Sequence, residues 1–130
     1  MCLKKPSAYD QLFTGYSVMP EFNSIVDMKI VDETITLESI DITLKTISLY
    51  ISDEQLQILR RKNKGRIFGA ESLLKINCGN SPFEINNKTY KVRCIASSRL
   101  SSSKFLLVMQ FLNLDERQKM EIIKSVSRLY

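Results

Sequence analysis

The chain has no histidine and no tryptophan, and it has only three cysteines among 130 residues. Without histidine it lacks the usual general base near neutral pH, which excludes Ser-His-Asp and Cys-His catalysis. Cys2, Cys78 and Cys94 form an odd set without a Cys-x-x-Cys spacing, so we expect neither disulfides nor a zinc site. No run reaches the ~20 apolar residues of a membrane span, and the N-terminus lacks the apolar core of a secretory signal. We therefore expect a cytoplasmic protein without a metal.

Without histidine, an enzyme would need paired carboxylates or a lysine for general acid-base catalysis. The candidates occur in predicted strands and turns, at spacings typical of solvated faces: Asp27, Asp32, Glu33, Glu38 and Asp41. No glycine-rich phosphate loop accompanies them. The sequence therefore predicts that the protein is not an enzyme.

Charge is distributed unevenly along the chain. Residues 1–59 hold four lysines, no arginine and nine acidic residues, whereas residues 60–130 hold fifteen basic and five acidic residues. The strands of a barrel can interleave the two halves and mix these charges. If the asymmetry survives folding, the basic side would attract an anionic ligand or an acidic partner.

Most of the chain alternates apolar and polar residues, which predicts β-strands. We count six or seven strands, in a single all-β domain, from candidates at residues 25–31, 35–42, 44–51, 67–68, 72–76, 82–85, 88–96 and 105–111. A Ser52-x-x-Gln55 capping box predicts a short helix after the third strand. A basic turn at residues 60–66 follows it, and a serine-rich loop at residues 97–103 precedes the last strand.

The last strand and the segment after it are the most informative part of the chain. Both faces of residues 105–111 are apolar, so this strand is expected inside a sheet. Asn113 or Asp115 can cap the amphipathic helix that follows, which ends near Tyr130.

This ending, with the sequence MQFLNLDE at residues 109–116, resembles the terminus of PilZ domains. These are small six-stranded β-barrels known as receptors for the bacterial messenger cyclic di-GMP. The resemblance implies a PilZ-like antiparallel barrel over residues 23–130, with an inserted helix and a C-terminal helix. Residues 1–22 would form an N-terminal arm.

The two PilZ motifs that bind cyclic di-GMP are degenerate here. The first, Arg-x-x-x-Arg before the first strand, is absent, since only Lys4 and Lys5 precede the barrel. For the second, Asp/Asn-x-Ser-x-x-Gly, the nearest match is the sequence TISLYI at residues 46–51, where only Ser48 fits. A planar arginine pairs with phosphate far better than a lysine does, so binding of the nucleotide is disfavoured and no cofactor is expected.

The resemblance therefore implies an adaptor that acts through protein contacts in cyclic di-GMP-related regulation of motility, pili or surface behaviour. Tyr9, Phe13 and Tyr16 would contact a protein partner or pack on the barrel, and a homo-oligomer is also compatible with this interpretation. The alternative is a true cyclic di-GMP receptor that uses a rearranged basic loop. The residues that would bind its phosphate, or that would otherwise bind an acidic partner, are Arg60, Arg61, Lys64, Arg66 and Ser48. A third hypothesis is single-stranded nucleic-acid binding, with stacking on Tyr50, Phe68, Tyr90 and Phe105.

Overall fold

The computed structural model describes residues 24–79 and 82–129. Six antiparallel strands form a closed barrel in the order β1-β2-β3-β6-β5-β4. The strands are β1 (Ser24–Ile30), β2 (Glu33–Ile42), β3 (Thr46–Ser52), β4 (Glu71–Asn77), β5 (Thr89–Arg99) and β6 (Lys104–Phe111). Two helices, α1 (Asp53–Lys62) and α2 (Glu116–Leu129), complete the fold. The predicted six-stranded barrel with an inserted and a C-terminal helix is confirmed.

The alternation in the sequence places one face of each strand inside the barrel. In β1, for example, Val26, Met28 and Ile30 are buried while Ile25, Asp27 and Lys29 face outward. The same inward pattern in the other strands joins all six into one apolar core. The last strand, β6, lies between β3 and β5, as its two apolar faces predicted.

Helix α1 lies across one end of the barrel. Its first residue, Asp53, donates a backbone hydrogen bond to Ser103 in the β5–β6 turn, and Lys62 in its last turn bonds Asp32 in the β1–β2 turn at 2.7 Å. The capping box is present as predicted, because Ser52 and Gln55 bond each other's backbone amides at 3.1 Å. Leu56 and Leu59, spaced for one helical face, are buried against the core.

Helix α2 packs at the opposite end, beside the β4–β5 connection. Asp115 is the cap, since its carboxylate accepts from the Gln118 amide at 2.7 Å. Further along, the Ser125 hydroxyl accepts from the Ile85 amide at 3.1 Å and donates to a carbonyl of its own helix. The Tyr90 hydroxyl donates to Glu121 at 2.8 Å.

Several predicted boundaries are wrong. Residues 67–68 and 82–85 are not strands. Their apolar pattern reflects packing, since Ile67 and Phe83 contact the core from the connections that precede β4 and β5. The predicted turn at residues 60–66 begins inside α1, whose last turn contains Arg60 and Arg61. The serine-rich loop is shorter than expected, because β5 continues through Ser97 and Ser98 to pair with β6.

The predicted arm at residues 1–22, with Tyr9, Phe13 and Tyr16, lies outside the described residues. The boundary at residue 23 therefore stays a prediction. Neither of the helices found in residues 24–79 and 82–129 has the length and apolarity needed to cross a membrane.

Candidate functional site

The strand order keeps the acidic and basic parts of the chain apart. Strands β1, β2 and β3 are contiguous on one side of the barrel, and β6, β5 and β4 are contiguous on the other. Between residues 24 and 52 the chain carries five acidic and two basic residues, whereas between residues 60 and 111 it carries two acidic and eleven basic residues. The barrel therefore has an acidic side and a basic side.

A shallow groove runs over the outer surface where β1, β2 and β3 meet β6. Its floor is a cross-strand row in which Ile25 pairs with Glu38, Glu38 with Tyr50, and Tyr50 with Leu106. Two adjoining depressions of about 350 and 520 Å³ share the first three of these residues. The Lys104 ammonium sits 4.0 Å above the centre of the Tyr50 ring at one side. We call this surface the outer groove.

The second PilZ motif has a better counterpart here than residues 46–51. The end of β2 and the following turn read Asp41-Ile-Thr-Leu-Lys-Thr46, which has the motif's acid and a hydroxyl in place of its serine. Thr46 stands where the motif has glycine, and its φ is not positive, so this turn does not require glycine. Residues 46–51 lie within β3, where Ile51 is buried in the barrel interior, so this stretch has no turn at the position of the motif's glycine. Allowing threonine for serine would have found this signal in the sequence.

The turn after β2 is held by one side chain. The Thr43 hydroxyl accepts from the Lys45 amide at 3.1 Å and from the Thr46 amide at 2.9 Å, and it also contacts the Thr46 hydroxyl at 2.9 Å. Such hydroxyl-to-backbone bonds are typical of Ser/Thr turns. The Thr43 hydroxyl is therefore engaged in fixing the turn.

Asp41 is a partly buried carboxylate on the acidic side of the barrel. It lies at a β-bulge and pairs in register with Ser48 of β3. Burial raises the pKa of the Asp41 carboxyl above its ordinary value, although the Ile42 amide partly offsets this rise. An acid and a hydroxyl on neighbouring strands can accept and donate hydrogen bonds to a polar ligand, but they provide no positive charge for a phosphate.

The basic residues predicted as a phosphate loop lie elsewhere. Arg60 and Arg61 are in the last turn of α1, while Lys64 and Arg66 are in the loop that leads to β4. Lys64 and Arg66 line a depression of about 460 Å³ together with Asn63, Phe68 and Gly69. Ser48 lies in β3, between Asp41 of β2 and Val108 of β6, and does not line the depression that contains Lys64 and Arg66.

The aromatic residues proposed as stacking platforms differ in accessibility. Tyr90 is fully buried inside the barrel and packs edge-on against Phe111 with ring centres 5.5 Å apart. Phe105 is partly buried beneath the Arg99 guanidinium, 4.8 Å from its ring centre. Of the other two, Phe68 is 63% exposed, and Tyr50 is half-buried like Phe105. They line different depressions, so these four aromatics do not form a stacking track.

Neither described cysteine has the environment of a reactive thiol. Burial raises the pKa of the Cys78 thiol to about 11. Burial also raises the pKa of Cys94, which belongs to the core. Within residues 24–79 and 82–129, no three His, Cys, Asp or Glu side chains are grouped so that they could hold a metal ion.

Solved structures with PilZ domains share this barrel. The chain is similar to the PlzA protein of Borreliella burgdorferi, crystallised in complex with c-di-GMP, with a TM-score of 0.56 and 20% sequence identity over 95% of this chain and 48% of that chain. It is also similar to the PilZ domain of YcgR from Escherichia coli, solved with c-di-GMP, with a TM-score of 0.60 and 14% identity over 82% of this chain and 81% of that chain. No protein-family model and no curated protein sequence matches the chain.

At these identities the comparison establishes the fold, and the PilZ-like barrel predicted from residues 109–116 is confirmed. The chain spans about half the length of PlzA.

Proposed function

We propose that this chain is a non-catalytic PilZ-like domain in cyclic di-GMP-related signalling that acts through protein contacts. The observation that carries the proposal is a PilZ-like barrel that keeps an acid and a hydroxyl, Asp41 and Thr43, at the end of β2, in a chain with no arginine before Arg60. A bis-phosphate ring needs cationic partners, and bidentate arginine is the best of them. The domain has therefore lost the usual means of holding the nucleotide.

The charges near the outer groove support this proposal. Glu38 lies in its floor, and Asp41 lies on the same side of the barrel. The lysine beside the groove, Lys104, is placed over the Tyr50 ring. An anionic ligand would thus meet carboxylates with little compensating charge.

The carboxylates of the acidic side support a non-catalytic role. Asp32 and Glu33 form salt bridges with Lys62, and Asp27 accepts a hydrogen bond from Thr36. The chain contains no histidine to complete an acid-base pair. We place the action of this domain in the bacterial cytoplasm, where cyclic di-GMP is made and sensed.

A thermal-shift measurement with cyclic di-GMP tests the proposal directly. A ligand that binds only the folded state stabilises it by RT ln(1 + [L]/Kd), so a receptor melts at a higher temperature when the nucleotide is added. We expect no shift for this chain and a clear shift for the PilZ domain of YcgR as the positive control. A nucleotide-dependent rise in melting temperature, matched by binding heat in calorimetry, would overturn the proposal.

The second candidate is a receptor with rearranged ligand groups, and the Asp41–Ser48 pair favours it. If cyclic di-GMP binds, two variants decide where. Asp41→Ala should abolish binding beside the Asp41–Ser48 pair at the end of β2, whereas a triple replacement of Arg60, Arg61 and Arg66 by alanine should abolish it at the basic segment. Loss in one variant and retention in the other identifies the site.

A further inference from the structure

Positive charge is concentrated and uncompensated where α1 leads into β4. Five basic residues occur at residues 60–66, and only Lys62 is neutralised, by Asp32 and Glu33. Across the described ranges, no carboxylate forms a salt bridge with the other four, which are Arg60, Arg61, Lys64 and Arg66. This end of the barrel therefore presents free cationic groups.

Two large apolar side chains are exposed beside this charge. Phe68 is 63% exposed and Ile95 is 43% exposed. They are brought near each other by a backbone bridge, in which the Gly69 amide donates to the Cys94 carbonyl and the Cys94 amide donates to the Ala70 carbonyl, both at 2.9 Å. We call Lys64, Arg66, Phe68 and Ile95 the Phe68 patch.

The loop that carries the patch is held in one conformation by its own hydrogen bonds. The Asn63 side-chain amide donates to the Arg66 carbonyl at 2.9 Å and approaches the Phe68 carbonyl at 3.5 Å. Backbone bonds from Gly65 and Arg66 return to the end of α1. A loop that is ordered before binding loses less entropy on binding.

We propose that the Phe68 patch is the docking surface for an acidic segment of a partner protein that inserts an apolar side chain beside Phe68. This inference deepens the proposed action through protein contacts and rests on it. Its basis is charge complementarity, since two exposed cations without a salt bridge to any described residue, Lys64 and Arg66, line the same depression as the exposed Phe68 ring. Arginine and aromatic residues are the side chains that most often dominate binding energy at protein interfaces.

A protein segment fits this patch better than the other polyanions. Single-stranded nucleic acid is bound by a basic groove with successive aromatic platforms, whereas this patch has one exposed ring, Phe68, and its other exposed apolar side chain is the aliphatic Ile95. A membrane surface is bound by a helix with a broad apolar face, whereas this patch is a hydrogen-bonded loop. An apolar pair within a cationic rim matches an acidic segment with an apolar anchor.

Selection from a random phage-displayed peptide library against the whole chain tests the proposal. We expect the enriched peptides to carry acidic residues around one or two apolar residues. Their affinity, measured by fluorescence anisotropy with synthetic labelled peptides, should fall roughly tenfold in Phe68→Ser and in a Lys64→Ala/Arg66→Ala variant. It should also weaken as salt is raised from low concentration to about 0.15 M.

A matched control uses the same kinds of change at the other end of the barrel. Leu44 is an exposed apolar residue in the β2–β3 turn, and Lys124 is an exposed lysine on α2. Leu44→Ser/Lys124→Ala should bind the selected peptides like the parent chain, and melting curves establish that every variant is folded.

Other outcomes overturn the surface assignment. The assignment fails if the enriched peptides lack acidic residues, or if they bind Phe68→Ser as tightly as they bind the parent. It also fails if no peptide is enriched. Tighter Phe68-dependent binding of single-stranded DNA or of phosphatidylglycerol vesicles would assign the patch to those ligands. Acidic peptides that bind elsewhere on the barrel would leave the proposed function standing, and that function fails separately if cyclic di-GMP raises the melting temperature.

Discussion

At the scale of single residues, the β1–β2 turn contains a conformation that the sequence does not indicate. Val31 has a φ of 57°, although a β-branched side chain is rarely found at positive φ. The sequence predicted a turn at Asp32 and Glu33, where acidic residues suggest solvent, but the turn begins at Val31 and Glu33 already belongs to β2. Apolar alternation continues through Val31, so periodicity alone placed it in the strand.

Replacing Val31 by glycine should therefore stabilise the protein. The left-handed conformation costs a non-glycine residue about 1–2 kcal/mol, and Val31 is 73% exposed, so little packing is lost. The greater freedom of glycine in the unfolded chain offsets part of the gain, which leaves roughly 0.5–1 kcal/mol. Urea denaturation monitored by circular dichroism measures the change.

Leu44→Gly is the matched control for this substitution. Leu44 is also an exposed apolar residue in a hairpin turn, but its φ is not positive. The control should lose a few tenths of a kcal/mol up to about 1 kcal/mol, because glycine brings only its entropic cost there. Equal losses in both variants would mean that Val31 is not strained.

At the scale of elements, the sequence predicted best where a local signal sets a boundary. The capping box set the start of α1, and a capping residue set the start of α2. The sequence predicted a boundary poorly where pairing with a distant strand sets it. The end of β5 is an example, because Ser97 and Ser98 belong to this strand through their pairing with β6. The apolar residues at 67–68 and 82–85 resemble short strands, but Ile67, Phe83 and Ile85 pack on the core from outside the strands and Phe68 is exposed.

The attachment of α2 to the β4–β5 connection should depend on pH. Arg128 donates two hydrogen bonds to the Glu84 carboxylate, at 2.9 and 2.8 Å, and these bonds lower the pKa of Glu84 from 4.5 to about 2. A carboxyl with a lowered folded-state pKa contributes stability that is complete above its unfolded pKa and is lost as the pH falls through its folded pKa. The contribution of this pair should therefore disappear between about pH 4.5 and pH 2.

Thermal unfolding of the parent and of Glu84→Gln across this pH range measures the effect. The variant should melt below the parent at neutral pH, and the gap should close as the pH approaches 2. Asp32, whose pKa is also lowered by Lys62, is present in both proteins and cancels from the difference. Ser127→Ala, an exposed change on the same helix, should keep the parent profile. A gap that is independent of pH would show that the ion pair does not set it.

At the scale of the whole molecule, topology decides a question that the sequence left open. The strands of a barrel can interleave the acidic and basic halves of a chain, and composition does not tell which strands are neighbours. The order β1-β2-β3-β6-β5-β4 keeps each half contiguous, so the asymmetry becomes two sides of the barrel. The outer groove lies largely on the acidic side, and the cations of residues 60–66 lie apart from it. The grouping of Ser48 with the basic loop, which came from sequence motifs alone, stays a prediction.

The same topology places the two helices at opposite ends of one continuous core, which allows a test of the whole fold. Ile30, near the end of β1 on the α1 side, and Ile122, on α2, are both buried in that core. Each Ile→Val change should cost about 1 kcal/mol. Because residues at opposite ends share no partners, the double variant should lose the sum of the two stability changes within about 0.5 kcal/mol and still unfold in one transition.

Pairing Ile122→Val with Ile85→Val is the control, since the Ile85 amide donates to Ser125 of α2 and these two changes lie at the same end of the barrel. Calorimetric unfolding of the three single variants, the two double variants and their parent measures these sums. Two separate transitions in any of them would show that the helices close independent units instead of one barrel.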